Sequence, residues 1–312
     1  MINEMTLFTR EEVLDLIKEK KVFYQSELSN IDLTSANLDR SQFPQAYLRG
    51  ANLSNASCQK TDFSSAILRF ANLSNANLTN AILTKTELTS ACLYKTNLKE
   101  AKATKVKLYG AALDFLEAPF AILTDADLRE ARGHNCNFSS ANLERANLHG
   151  ASLPHSNFSS AKLRKAIASE ANLRHTTWKN ADLSRVNLWK SNLTGANFSQ
   201  ASLIDTDFSK ANLSQANLQE AELIEATLKQ AILDRVNLTN TSFINANLEG
   251  AAFTSVDFQE TILQDANLEN TVWRNVRFID CNVDNAVFTN AKGLTLEQKQ
   301  WLRKNGALNV PQ

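Results

Sequence analysis

Hydrophobic residues recur every five positions from Ser26 to Asn290, without an insertion or deletion. The central position of each repeat, called i here, has a residue number ending in 3 or 8, and 34 of the 53 central residues are Leu and 11 are Phe. Position i−2 is Ala in 32 repeats and Ser, Thr, Val or Cys in all but two of the others. Position i−1 is Asn or Asp in 25 repeats. Most of the chain is therefore one short motif repeated 53 times.

A period of five fits neither regular secondary structure. On an α-helix, a step of five residues turns the side chain by about 140°, and on a flat strand an odd step alternates faces. The chain must bend once per repeat, with residues i−2 and i pointing inward from a very short strand. A β-turn centred on i+1 and i+2 favours Pro at the first and Gly or Asn at the second. Pro44, Pro119 and Pro154 all lie at i+1, and i+2 is Gly five times and Asn twelve times.

The A-N/D-L-x-x pattern, seen for example from Ala71 to Asn80, resembles the pentapeptide repeat family over about 85 % of the chain. The resemblance implies an all-β solenoid, a right-handed quadrilateral β-helix with four repeats in each coil and about 13 coils. Two features agree with a 20-residue period. Ile204, Ile224 and Ile244 follow one another at i+1, and five central Phe residues share one face: Phe138, Phe158, Phe198, Phe258 and Phe278.

Three parts are predicted: an N-terminal capping helix (1–25), the β-helix (26–291) and a C-terminal capping helix (292–312). A solenoid needs covered ends, because its terminal coils otherwise expose core and unpaired backbone. A capping box at Thr9 predicts a helix to about Lys21, and Thr295 begins a second one.

Trp301 and Leu302 give the C-terminal helix its apolar surface. One interpretation is that both helices only cap the solenoid. The other is that the C-terminal helix also forms a dimer contact, as the resemblance implies from relatives that act on topoisomerases. The oligomeric state is left as a monomer or a C-terminal-helix dimer.

Composition narrows the class further. Eight Gly and four Pro in 312 residues exclude collagen and proline-rich linkers. The segment from Met1 to Arg10 is not a signal peptide and no apolar run of membrane-spanning length occurs, so a cytoplasmic protein without a membrane partner is predicted. Cys58, Cys92, Cys136 and Cys281 lie far apart and are interpreted as free thiols.

Eight central positions depart from Leu or Phe: Cys58, Ala103, Ala118, Gly133, Ala168, Trp178, Trp273 and Val283. Three of these positions, Ala103, Ala118 and Gly133, lie close together in the sequence. In the same region, the inward pair Leu116 and Ala118 reverses the usual small-then-large order. Outward apolar residues surround this region and predict a contact surface: Tyr94, Tyr109, Phe115, Phe120 and Ile122. The alternative is a local bulge that folds these side chains onto the protein. The isoleucines at 204, 224 and 244 are further candidates for a contact surface.

Candidate chemistry is sparse. His155 and His175 are 20 residues apart at equivalent corners, with His134 diagonal to them, and three imidazoles can hold Zn²⁺. The sequence shows no carboxylate or cysteine aimed at the same point, so an exposed polar corner is favoured and metal binding is an alternative. No catalytic motif or phosphate loop occurs, and the sequence predicts no enzyme activity and no cofactor.

Charge is unevenly distributed although the net charge is zero. Residues 85–190 contain 16 basic and 10 acidic residues, whereas residues 201–270 contain 3 basic and 11 acidic. The predicted function is a non-catalytic scaffold for protein–protein interaction, with an unidentified protein partner and no direct nucleic-acid binding. The resemblance adds a cyanobacterial context. It also supplies an alternative, a DNA mimic that binds a type II topoisomerase such as gyrase through the acidic face.

Overall fold

A computed structural model describes residues 8–312. The chain divides into two compact units, one ending at Asn157 and the other spanning Phe158–Gln312. Helix α1 covers Arg10–Lys18 and helix α2 covers Leu296–Lys304. Five three-residue strands lie in the second unit: β1 (Ile232–Asp234), β2 (Ala252–Thr254), β3 (Asp257–Gln259), β4 (Val272–Arg274) and β5 (Arg277–Ile279).

All of the strand pairing is parallel. Strands β1, β2 and β4 form one sheet, and β3 pairs with β5. Most other repeats contribute a single parallel bridge between residues 20 apart, such as Asn52 with Asn72 in the first unit and Asn192 with Asn212 in the second. Twenty residues are four pentapeptides, so the coil size implied by the resemblance is confirmed within each unit. The total number of coils and the handedness stay predictions.

The corner of every repeat has the same backbone conformation. Every residue at i+2 from Asn30 to Asn290 has a positive φ, between 49° and 69°. The N–H of the following i−2 residue donates back to the carbonyl of residue i, as Ala51 does to Leu48 at 3.0 Å, which confirms the predicted β-turn. Most i+2 residues are neither Gly nor Asn, at a cost of about 1 kcal/mol each. Their N–H groups bond to the next coil, as Ser35 does to the Ser54 carbonyl at 2.8 Å, and this bonding imposes the conformation.

The frequent Asn or Asp at i−1 completes the backbone hydrogen bonding. Four N–H groups of a repeat are satisfied by the turn and the neighbouring coils, which leaves the N–H of residue i+1. That group donates to the side-chain oxygen at i−1, as Ser74 does to Asn72 at 3.1 Å and Ser184 does to Asp182 at 3.0 Å. An Asn or Asp at i−1 thus bonds its own turn, as in an Asx-turn.

Inward side chains stack from coil to coil. Phe23, Phe43 and Phe63 form a stacked column with ring centroids 4.8 and 5.4 Å apart. In the second unit, Trp178 stacks between Phe158 and Phe198 at 4.2 and 5.9 Å. All eight unusual central positions lie inside, so the departures from Leu and Phe change the shape of the core and do not interrupt it.

Both predicted capping boxes are present, at Thr9 with Glu12 and at Thr295 with Gln298. Helix α1 ends at Lys18, about three residues before the predicted end, because Lys20 adopts a positive φ and the N–H groups of Lys20 and Lys21 bond back to Ile17 and Leu16. That arrangement is a Schellman motif, which stops a helix.

At both helices, an aromatic ring packs against an aromatic side chain of the nearest coil. The ring of Phe8, beside α1, contacts Phe23 edge-on at 6.2 Å, and Val13 of α1 is fully buried. In α2, Trp301 stacks on Phe278 at 5.7 Å with an interplanar angle of 11°, and Leu302 is fully buried. Trp301 therefore continues a core column, which is the contact expected of a cap.

Replacing Trp301 with alanine is expected to lower the free energy of unfolding by about 2 kcal/mol, because a half-buried indole and its stack on Phe278 are lost. Urea denaturation measures the change, and Leu296→Ala, at an exposed position of the same helix, is the control expected to change little. An unchanged stability together with loss of a dimer in sedimentation would instead assign Trp301 to the dimer contact.

Among residues 8–312, no helix is both long enough and apolar enough to cross a membrane.

Candidate functional site

Two of the predicted outward aromatic residues come into contact at one corner of the first unit. The N–H of Lys95 donates to the Asp114 carbonyl and the N–H of Phe115 to the His134 carbonyl, both at 2.9 Å, which places the three turns in successive coils. The rings of Tyr94 and Phe115 meet edge-on at 5.9 Å, and those of Phe115 and His134 at 4.6 Å. Tyr94, Lys95, Phe115 and His134 are called the aromatic corner below.

Charged groups hold the aromatic corner in place. The Lys95 ammonium lies 5.2 Å from the ring centroid of Tyr94 and 5.8 Å from that of Phe115, within the range of cation–π attraction. Asp114 Oδ1 lies 2.5 Å from His134 Nδ1 and accepts the His134 backbone N–H at 2.9 Å. Sequence reasoning missed this carboxylate, because Asp114 and His134 are 20 residues apart and meet only through the coil.

The remaining three residues of the predicted surface lie elsewhere on the same unit. Tyr109 lies under the Arg129 guanidinium at 5.6 Å, and this guanidinium also donates two hydrogen bonds to Asp127, at 2.8 and 2.7 Å. These hydrogen bonds hold the pKa of Asp127 below its usual value. Phe120 and Ile122 are exposed, and no ring contact within residues 8–312 joins Phe120 to the aromatic corner.

The alternative of a local bulge is wrong. Pairing through the region stays in step, with Lys102 opposite Ile122, Ala112 opposite Arg132 and Glu117 opposite Asn137. The reversed pair, Leu116 and Ala118, is fully buried. The outward aromatic residues thus project from a regular backbone.

An unusually tight core lies directly beneath the aromatic corner. A Cβ atom at Gly133 would lie 2.7 Å from the Leu113 carbonyl carbon and 2.9 Å from the Cys136 sulfur. The Cys136 thiol donates to the Leu113 carbonyl at 3.0 Å, and burial raises the pKa of this thiol to about 11. Gly133 thus permits a close approach of two coils immediately before His134.

The three isoleucines at 204, 224 and 244 lie above one another in the second unit. The N–H of Asp205 donates to the Ile224 carbonyl and that of Glu225 to the Ile244 carbonyl, both at 2.9 Å, so the three isoleucines occupy successive coils. Ile204, Ile224 and Ile244 are each half-buried. They form a narrow apolar strip beside the exposed carboxylates of Asp205 and Glu225.

The histidines do not assemble a metal site in the described chain. Within residues 8–312, no three His, Cys, Asp or Glu side chains are arranged to hold a metal ion. His134 and His155 belong to the first unit and His175 to the second. His134 is already engaged by Asp114 and Phe115.

Comparison with known families identifies the repeat. A family model described as "Pentapeptide repeats" matches eight segments, which together cover more than half of the chain: 26–69, 46–84, 68–99, 120–150, 141–177, 181–219, 221–259 and 261–292. The chain belongs to the pentapeptide repeat family. The resemblance drawn from the sequence is confirmed.

Several solved structures are similar to this pentapeptide repeat protein. HetL from Nostoc sp. strain PCC 7120, a pentapeptide repeat protein involved in heterocyst differentiation regulation, is 29% identical, with 85% of this chain and 96% of HetL covered and a TM-score of 0.29. The plasmid-mediated fluoroquinolone resistance protein QnrB1 is 17% identical, with coverages of 70% and 98% and a TM-score of 0.34. A pentapeptide repeat protein of the Arabidopsis thaliana thylakoid lumen is 26% identical, with coverages of 51% and 80% and a TM-score of 0.22. No curated protein matches the sequence.

The cysteines of this pentapeptide repeat protein are free, as predicted. Burial raises the pKa of the Cys58 thiol to about 12 and that of Cys281 to about 11. Cys92 is half-buried and lies 3.2 Å from the Ser74 hydroxyl. A thiol with a raised pKa is a poor nucleophile at neutral pH, so the buried cysteines act as small core residues.

Proposed function

We propose that this pentapeptide repeat protein is a non-catalytic scaffold that binds a partner protein through the aromatic corner. The observation that carries the proposal is the contact of Tyr94 with Phe115 at the surface, with Lys95 over both rings. Aromatic residues are enriched at protein interfaces, since they supply a large contact area and lose little conformational entropy.

The corner is held rigid before any partner arrives. Its backbone is fixed by bonds to neighbouring coils, and Asp114 orients the His134 ring. A pre-ordered surface binds at a lower entropic cost than a flexible one. Lys95 supplies a positive charge beside the rings, so the expected partner presents an apolar side chain next to a carboxylate.

Several features support a scaffold over an enzyme. The inward positions of the repeats are filled with packed side chains, and the buried thiols have raised pKa values. Within the described chain, His134 and Asp127 are engaged by neighbouring side chains and are not aimed at a shared cleft.

Ion pairs in the acidic segment favour a scaffold over a DNA mimic that would bind its partner through the acidic face. Four carboxylates of residues 201–270 form ion pairs within this chain: Asp205 with Arg185, Asp234 with Arg235, Glu249 with Lys229 and Asp257 with Arg277. Each pair removes a negative charge that a phosphate-like surface would present.

Phe115→Asp is expected to reduce recovery of the partner by about tenfold or more, because a charge replaces the central ring of the corner. Cross-linking in the producing cells, followed by quantitative mass spectrometry, measures the recovery. Aspartate tolerates the positive φ of this position, so the fold is expected to survive.

Phe70→Asp is the matched control. Phe70 lies in the same unit, also at i+2 with a positive φ, and is 56% exposed beside Arg49 at a different corner. This variant should recover the partner as the wild type does. A set of cross-linked proteins that is identical for the wild type and Phe115→Asp would contradict the proposal. Phe120→Asp then reports whether the surface extends beyond the corner.

A further inference from the structure

One corner of the second unit runs through seven successive coils and changes charge along its length. Its turns are joined in order by backbone bonds from each i+2 N–H to the next i+1 carbonyl, beginning with Lys165 to Ser184 at 3.1 Å and ending with Asp265 to Asp284 at 3.0 Å. The positions from Arg164–Lys165 to Asp284–Asn285 are called the polarised ridge.

The ridge is basic at one end and acidic at the other. Arg164 and Lys165 are exposed at the first turn, and within residues 8–312 neither takes part in an ion pair. Arg185 follows one coil later. Asp265 and Asp284 are exposed at the last two turns. Between the two ends lie the half-buried isoleucines 204, 224 and 244.

The order of charges along the ridge is complementary to that of a second copy in antiparallel orientation. A two-fold axis through Ile224 places Ile204 opposite Ile244 of a second copy, and it places Arg164 opposite Asp284. Arg185, which also pairs with Asp205 of its own chain at 3.3 Å, then faces Asp265. In a symmetric dimer the same surface of both copies forms the contact, so each residue faces the residue on the other side of the axis. The ridge suits such a contact, because its two ends have opposite charges and its centre is apolar.

We propose that two copies of this protein associate in antiparallel orientation along the polarised ridge. Seven coils spaced by about 4.8 Å give a contact about 30 Å long, enough for a modest interface if the flanking faces contribute. A partner of single charge would match only one half of the ridge. A second copy matches both halves, and it is therefore the occupant that the charge order favours.

One residue opposes the pairing. Glu225 lies beside the axis and would face its own copy, so two like charges approach each other. Asp205 is already compensated by Arg185 at 3.3 Å, whereas no ion pair in the described chain involves Glu225. The dimer is therefore weak and sensitive to salt, with a dissociation constant in the micromolar range.

Sedimentation equilibrium of the full chain over a range of concentrations tests the proposal. We expect a monomer–dimer equilibrium whose dissociation constant rises by about tenfold between about 50 and 500 mM NaCl. Glu225→Gln should tighten the dimer by about threefold, because the repulsion at the axis is removed. A wild-type protein that stays monomeric at every concentration and salt would overturn the proposal.

Charge reversal at the ends identifies the surface. Arg164→Asp and Asp284→Arg should each weaken the dimer by about tenfold or more, whereas the double variant restores it, because the two charges are exchanged in both copies. Arg174→Asp makes the same change at an exposed position of another corner in the same unit and should have no effect.

Circular dichroism confirms that each variant is folded. A dimer that is unaffected by Arg164→Asp, or weakened equally by Arg174→Asp, would place the contact elsewhere. If Asp284→Arg fails to fold, the proposal is tested by the salt dependence and by the two remaining variants. Glu225→Gln should tighten the dimer and Arg164→Asp should weaken it, and any other result contradicts the proposal.

Discussion

Replacing Gly133 with leucine, the commonest residue at its repeat position, is expected to lower the free energy of unfolding by about 3 kcal/mol. A consensus argument predicts the opposite, since 34 of the 53 central residues are Leu. The reason is space: even a Cβ atom would lie within 3 Å of the Leu113 backbone, the Leu113 side chain and the Cys136 sulfur. The coils would have to separate, which disturbs the hydrogen bond from the Cys136 thiol to Leu113.

Urea denaturation measures this loss, and two further variants separate its causes. Gly133→Ala should cost about 1 kcal/mol, because it adds only the Cβ atom. Cys136→Ala in the Gly133→Leu background should recover part of the loss, since it removes the sulfur but leaves the Leu113 backbone in place. An increase in stability for Gly133→Leu would show that the space at this position is adjustable and would contradict the prediction.

Thr176→Val is expected to destabilise the protein by about 2 kcal/mol although the two side chains have nearly the same shape. The Thr176 hydroxyl donates to the Leu173 carbonyl at 2.6 Å and accepts the indole N–H of Trp178 at 2.7 Å, and both side chains are buried. Valine leaves the indole N–H without an acceptor inside the core, and such a group costs about 1–3 kcal/mol.

Thr206→Val provides the matched control. Thr206 occupies the same repeat position in the same unit and donates to the Leu183 carbonyl at 2.8 Å, but no indole bonds to it. Its loss should cost about 1 kcal/mol. Adding Trp178→Leu to Thr176→Val removes the orphaned donor and should reduce the extra penalty. Equal costs for the two threonine variants would show that the indole contact contributes nothing.

Much of the architecture follows from the sequence pattern. The five-residue period predicted the inward positions, the turn and its positive φ at i+2, and the structure has all three. The two capping boxes at Thr9 and Thr295 were also predicted and are present. These features are local, since each depends on residues within five positions of one another.

The contacts that distinguish one corner from another were harder to predict. Asp114 meets His134 across one coil, and Tyr94 meets Phe115 across one coil and one further residue. The pairing of Thr with Trp at i−2 and i is local and occurs twice, at Thr176 with Trp178 and at Thr271 with Trp273, so a search for that spacing was a usable signal.

The sequence by itself determined which side of the chain each residue occupies, because a repeat with small and large inward residues can bury them only by bending once in every five residues. Tertiary structure decided which outward residues become neighbours. That depends on the 20-residue length of a coil, set by parallel pairing between coils, and a five-residue motif does not encode this length. The aromatic corner and the polarised ridge therefore arise from residues that are distant in the sequence and adjacent only in the coil.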